Sequence, residues 1–151
     1  MGLMLSINPN ATLIDEKMVD FLAADPPSRV NITLYGASGE TYGALCGDPA
    51  AYERAVRAIL ALQSAGVLVK LNCSVTPYNR QDAEKIYAFA HEHQLPVQAA
   101  SYMFPPVRAC EHGCYAPDRL TAAQAAAEKI RYDKSRFTPE ELRERWSALL
   151  K

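Results

Sequence analysis

In Val67-Leu68-Val69-Lys70-Leu71-Asn72-Cys73-Ser74-Val75-Thr76, apolar and polar residues alternate with a period of two from Val69 onward, the pattern of a β-strand with two unlike faces. Leu71, Cys73 and Val75 fall on one side, and Lys70, Asn72, Ser74 and Thr76 on the other. A lysine or asparagine buried without a partner costs on the order of 1–3 kcal/mol, so something polar is expected on that second side. Gly66, just before the strand, suits the left-handed stop of a preceding helix. Just after it, Ala83, Ile86, Tyr87 and Ala90 recur at helical spacing over 81–91.

The same rhythm extends in both directions. A strand over 3–8 precedes a helix over 15–24, which Asp15 can cap and Ile14 and Val19 can staple. A strand over 29–35 sets Val30, Ile32 and Leu34 opposite Asn31, Thr33 and Tyr35. Ser38 can cap a short helix ending in a packed turn at Cys46, and Asp48-Pro49 opens a longer one with Tyr52, Val56, Ile59 and Leu60 as its buried stripe. A further strand covers 96–102. After Met103 comes a loop, then two helices announced by the capping-box pairs Thr121/Gln124 and Thr138/Glu141. Alternating strands and helices imply a parallel sheet; an antiparallel sheet with one wet face would also alternate, but the intervening helices argue against it.

The expected fold is therefore α/β, a partial (β/α) TIM-like barrel with parallel strands plus C-terminal helices. A complete barrel takes about 250 residues, and this chain has 151. Residues 1–103 would form four β/α units, and 104–151 a loop and two helices packed on them. In such folds ligands gather at the carboxyl ends of the strands, which here carry Asn8, Asn10, Tyr35, Ser38, Thr76 and Tyr102. Asn8 and Asn10 beside Pro9 could equally be loop formers, and Ser38 a helix cap.

Charge narrows the function. Sixteen Lys and Arg against 17 Asp and Glu leave a net charge of −1 without a basic run, which speaks against nucleic acid or an anionic membrane as partner. No apolar run has the length of a spanning helix, and the N-terminus lacks signal-peptide character, so a cytoplasmic location is expected.

The residues at the strand ends resemble a known family, the radical SAM enzymes, and most closely those that often carry a C-terminal SPASM domain. Asn8-Pro9-Asn10-Ala11-Thr12-Leu13-Ile14 is similar to the turn after the family's third barrel strand. Val30-Asn31-Ile32-Thr33-Leu34-Tyr35-Gly36-Ala37-Ser38 with Glu40-Thr41-Tyr42 resembles its fourth-strand segment. Cys46-Gly47, Tyr52-Glu53-Arg54, Ala65-Gly66-Val67, Val69-Lys70-Leu71 and Val75-Thr76 continue the likeness through the fifth strand, so that it spans roughly residues 3–103. The resemblance implies a [4Fe-4S] cluster bound by three cysteines and S-adenosylmethionine (AdoMet) cleaved to a radical that abstracts hydrogen from a peptide or small-molecule substrate. It gives Thr33 and Tyr35 contacts to the ribose or methionine part of AdoMet, and makes Lys70, Asn72 and Ser74 the matching set on the next strand, with Asn8 at the first strand's end.

The chain departs from the family pattern in the metal-binding part. The CxxxCxxC motif and the glycine-glycine-glutamate region that holds the methionine amine are absent, Tyr35 replaces an aspartate, and no SPASM domain follows. The chain is therefore expected to be the middle and end of a barrel, inactive alone, and a homodimer or a companion chain would cover its open edges. Cys110-Glu111-His112-Gly113-Cys114 has the first half of the cluster spacing, but Pro117 stands where a third cysteine belongs. Cys110, His112 and Cys114, with His91 or His93, could instead hold zinc, or the thiols could simply lie reduced in a surface loop. Cys73 falls on the core side of its strand. The rival functions are thus a catalytically silent binding remnant and a small zinc domain.

Overall fold

The computed structural model of the chain describes residues 3–103 and 118–149. Asp15 caps α1 (Glu16–Ala24), its Oδ1 accepting from the Met18 N–H at 2.9 Å. Ser38 caps α2 (Gly39–Cys46) by accepting from the Thr41 N–H at 3.2 Å. Gly47 then ends that helix at a φ of 72°, where L side chains are strained. Asp48 does not cap the next helix. Its carboxylate takes the Ala50 N–H at 3.1 Å in a preceding turn, and α3 (Ala51–Ser64) starts later without a side-chain cap.

Four strands, β1 (Ser6–Ile7), β2 (Arg29–Thr33), β3 (Val69–Ser74) and β4 (Val97–Ala100), lie side by side in sequence order, and each neighbouring pair is parallel. The antiparallel alternative is thereby excluded. Val30, Ile32, Leu34, Leu71, Cys73 and Val75 are all buried on the helix side of the sheet. They meet α3 and α4 (Ala83–Glu92) in one core. The stripe of α4 is the expected one, Ala83, Ile86, Tyr87 and Ala90. That of α3 is rotated by one position: Ala51, Ala55, Ala58, Ile59 and Leu62 are buried, while Tyr52, Val56 and Leu60 are half-buried. Small side chains let the helix approach the sheet closely, and the larger ones pack at the margin.

The other face of the sheet is polar and open among the described residues. Asn31, Thr33, Lys70 and Asn72 are half-buried and Ser74 and Gln98 exposed. Their polar atoms are met partly by one another, Lys70 by Gln98, and Asn31 by the Ser6 hydroxyl at 2.9 Å. β1 is short and its approach is exposed, with Leu3 and Met4 almost fully in solvent.

The C-terminal helices α5 (Ala122–Lys134) and α6 (Pro139–Leu149) begin with the expected reciprocal pairs, Thr121 with Gln124 and Thr138 with Glu141. α5 is fastened to β4 by the Tyr132 hydroxyl, which donates to the Val97 carbonyl at 2.7 Å. Its Glu128 side chain is fully buried and is neutralised by Arg80 and Arg131, each at 3.0 Å. A buried carboxylate needs such partners.

Two buried polar side chains in the turn between β3 and α4 hold the carboxyl ends of the strands. Asn79 Nδ2 donates to the Tyr35 carbonyl at 2.8 Å and to the Ser74 carbonyl at 3.0 Å, while its Oδ1 accepts from the Thr76 N–H at 2.7 Å. Asp82 sits at the cap position of α4 but does not cap it. Its Oδ2 instead takes the Thr41 hydroxyl at 2.6 Å and the Ala37 N–H at 3.0 Å. Burial, the largest single influence on Asp82, raises its pKa, but the Thr41 hydroxyl, the Ala37 N–H and Lys85 together prevail and hold the carboxyl below its ordinary range.

This packing leaves no room at Gly36, where an added Cβ would lie 2.4 Å from Thr41 Cγ2 and 3.1 Å from Asp82 Oδ2. Gly36→Ala is expected to cost about 1–3 kcal/mol, read as a lower urea midpoint; an unchanged midpoint would show that Thr41 yields freely. The depressed pKa of Asp82 has a defined sign. Its stabilisation is complete above the ordinary carboxylate value of 3.8 and is lost as pH falls through the lower folded value. Asp82→Asn should therefore reduce stability at neutral pH and flatten the acid limb of a stability profile below about pH 4. An acid limb as steep as that of the unsubstituted chain would refute this.

Candidate functional site

Parallel strands deliver their side chains and loop amides to one end, and a cleft of about 780 Å³ opens there. It runs from the loop after β1, across the polar face of β2, to α2 and the first turns of α3. Asn8 and Asn10 line it from the loop, Asn31, Thr33 and Tyr35 from β2 and its extension, Tyr42 and Cys46 from α2, and Asp48 and Arg54 from the α3 approach. Asn10 is itself a cap, its Oδ1 accepting from the N–H and the hydroxyl of Thr12 at 3.1 and 2.8 Å. It therefore shapes the loop more than it offers a free acceptor.

Thr33 and Tyr35 reach the cleft because β2 alternates: the odd positions leave the core that Ile32 and Leu34 occupy. The Tyr35 ring is half-exposed and meets Tyr42 edge to face, with centroids 6.0 Å apart, and the Tyr35 N–H donates to the Tyr42 hydroxyl at 3.3 Å. Burial pushes the Tyr42 phenol up to about 12, against the opposing effect of that hydrogen bond. The Tyr42 phenol is thus protonated and neutral near neutral pH. Across the mouth, the hydrogen bond from Arg54 holds the exposed Asp48 carboxyl below its usual range.

Of the residues singled out from sequence, the cleft brings together Asn8, Asn10, Thr33 and Tyr35. Lys70, Asn72 and Ser74 stand one strand away on the same polar face, outside its lining. Register sets Asn72 beside Thr33 and Lys70 beside Asn31, so the two groups form one continuous polar surface. Sequence reasoning left out Asp48 and Arg54. Their only signal was two opposite charges spaced across a helix entry, a common pattern on protein surfaces.

The metal candidates divide. Cys110, His112 and Cys114 lie outside the described residues. Among the described residues, no three His, Cys, Asp or Glu side chains are placed to hold a metal ion. Cys73 is buried in the core as expected, and burial raises its thiol pKa to about 11, so it stays a neutral core group. Cys46, expected to be packed, is exposed at the cleft edge, because α2 ends in solvent at Gly47. His91 is exposed and the His93 ring packs on Phe89 at 4.6 Å. The described residues therefore do not fit an iron–sulfur cluster.

Comparison with known proteins locates this architecture. No family model matches the chain. It is 27% identical over 110 residues to a protein named AdoMet-dependent heme synthase from Methanosarcina barkeri, covering 73% of this chain and 32% of that protein. A protein of the same name from Nitratidesulfovibrio vulgaris is 30% identical over 86 residues, 57% of this chain and 23% of its own. The chain thus spans no more than about a third of these curated relatives' length. Among solved structures, native anSMEcpe with bound AdoMet and Cp18Cys peptide aligns with a TM-score of 0.63 at 21% identity, covering 84% of this chain and 36% of that one. Streptococcus suis SuiB aligns with a TM-score of 0.61 at 15% identity, covering 91% of this chain and 31% of that one. At those identities the likeness speaks for the fold. The curated relatives and the shared fold together give this chain a radical SAM superfamily relationship over part of its length.

Proposed function

We propose that this chain supplies an AdoMet-binding wall of a radical SAM barrel and that the 151-residue polypeptide alone is catalytically silent. The observation that carries the reading is the cleft at the carboxyl ends of β1 and β2. There Asn8, Thr33 and Tyr35 converge, in a fold shared with structures described as containing AdoMet. Thr33 and Asn8 offer a hydroxyl and an amide to the ribose or methionine portion. The half-exposed Tyr35 ring offers a π-face to the base, and Asn72, Lys70 and Ser74 extend the polar surface along β3. A few placed polar groups in a concave, partly apolar cleft are what a ligand of this kind needs.

AdoMet, once bound and reductively cleaved, supplies the radical that abstracts hydrogen from a peptide or small molecule. The chain's own residues bind and orient it. The cluster that reduces it requires the CxxxCxxC set, which these 151 residues do not contain. In this reading 1–103 is the barrel segment and 104–151 packs on it. A companion chain or a second copy closes the open polar face, and the assembly works in the cytoplasm. A non-catalytic binding role for the isolated polypeptide is supported by a formed cleft together with the absence of a three-ligand metal group among the described residues.

Calorimetric titration with AdoMet is expected to show one site on the 151-residue chain. Thr33→Val should weaken it by roughly two- to tenfold, the worth of one hydrogen bond of about 0.5–1.5 kcal/mol. No heat of binding at millimolar AdoMet would sink the proposal. Anaerobic reconstitution with iron and sulfide is expected to leave no stoichiometric [4Fe-4S] cluster. Cluster assembly with AdoMet cleavage would overturn the silent-chain part, and one tight zinc lost in Cys114→Ser would favour the zinc domain.

A further inference from the structure

Asn79 and Asp82 are nearly inaccessible, 3% and 2% exposed, and neither lines the cleft. Of the groups they bond, Tyr35 lines the cleft and Ser74 stands one strand away on the same polar face. The carboxamide nitrogen of Asn79 donates to the carbonyls of Tyr35 and Ser74, two residues of the polar surface on adjacent strands. The carboxylate of Asp82 takes the Ala37 N–H and the Thr41 hydroxyl. It thus grips the backbone immediately beyond Tyr35 and the first turn of α2, the helix that carries Tyr42 and Cys46 into the cleft. Gly36 lies between the two attachment points and admits no side chain.

From this arrangement we infer that Asn79 and Asp82 are positioning residues for the ligand cleft: they set, from behind, the spacing between its Tyr35 wall and the Ser74 end of β3. The inference rests on the AdoMet reading for the ligand's identity but not for the geometry. A buried amide that bridges two carbonyls has one arrangement that satisfies both, so it sets their separation as well as stabilising them. The strands approach this point already paired through Thr33 and Asn72, and Tyr35 and Ser74 lie just beyond that pairing. Without the bridge, the two carbonyls of these part-buried bonds would lose their shared donor, and the loop of residues 35–38 would be free to move. Arg80 carries the constraint further back, because it follows Asn79 in the same turn and pairs with the buried Glu128 of α5.

The test uses the full 151-residue chain in four forms: unsubstituted, Asn79→Asp, Asp82→Asn, and Leu62→Ala. Leu62 is a fully buried residue of α3 away from the cleft, and its truncation serves as a control that loses stability without touching these bonds. Asn79→Asp keeps the acceptor for the Thr76 N–H but replaces the donor with an oxygen facing two carbonyls. Asp82→Asn is the milder change and carries the test should Asn79→Asp not fold. Two readouts are taken at a temperature where every form is folded: amide hydrogen exchange at residues 35–38, and AdoMet affinity.

The expected result for each polar variant is at least tenfold faster exchange at residues 35–38 and at least tenfold weaker AdoMet binding than in the Leu62→Ala control at equal loss of Tm. Exchange and affinity no different from that control would show a merely structural role and overturn the inference. Absence of AdoMet binding in the unsubstituted chain would overturn the ligand assignment instead. Exchange at residues 35–38 would then decide the positioning role by itself, unchanged rates overturning it and faster rates supporting it.

Discussion

One carboxamide holds the working end of this sheet together. β2 and β3 are paired through Thr33 and Asn72; past that point Tyr35 and Ser74 keep their carbonyls but lie outside the ladder. Both carbonyls take part in part-buried bonds, where a protein donor replaces water. Asn79 supplies both from a single nitrogen while its oxygen ties down Thr76. An apolar residue there would leave two acceptors unsatisfied, and a charged one would bring ionic desolvation into the core. Asparagine carries the donor pair and the acceptor on one short side chain, so the turn after β3 and the turn after β2 are built as a unit.

This brace explains how a sheet with so unequal a pair of faces can present a defined surface. The helix side is close-packed around Ile32, Leu71 and Ile59, all fully buried, and such packing fixes the strands laterally. The polar side has no covering layer among the described residues and gains little from packing. Its hydrogen bonds between Lys70 and Gln98, and between Asn31 and Ser6, cross neighbouring strands, but both pairs are largely solvated. Precision at the carboxyl ends must therefore come from the far side of the sheet. Asn79 and Asp82 are built there, at the entry to α4, which packs against β3.

What sequence reasoning could reach follows from the range of each interaction. The caps at Asp15, Ser38 and Thr121 depend on bonds to residues three positions away, and local spacing reveals them. The two faces of β2 and β3 were visible because pleating forces alternation, which also marked Thr33 and Tyr35. In α3 the expected Ile59 is buried, but the rest of the stripe is offset by one position: Ala51, Ala55 and Ala58 are buried, and Tyr52 packs half-buried at the core's edge. Asp82 and Glu128 were beyond reach. Each looks like an ordinary helical acid, and the partners that keep Asp82 buried, Ala37 and Thr41, lie more than forty positions earlier. Cys46 was misjudged for a related reason, since nothing nearby states whether a helix end faces solvent.

The proposed function sets apart two physical tasks, recognition of AdoMet and delivery of an electron to it. In the proposed reading, recognition of a nucleoside and an amino acid draws on hydroxyls, amides and an aromatic face that a parallel sheet and its turns hold at fixed separations. Electron delivery needs several thiolates within bonding distance of one another, in an environment that stabilises the anion. Among the described residues, no three His, Cys, Asp or Glu side chains are placed together to hold a metal. Cys73 lies in the core with its pKa raised to about 11 by burial, and Cys46 faces the cleft from the end of α2. The two tasks also fail differently. A binding wall depends on backbone positions that buried braces such as Asn79 can maintain in the absence of ligand, whereas a cluster site gains much of its order from the metal it binds. In the proposed AdoMet reading, the geometry of residues 35–46 is the part of the fold on which binding depends.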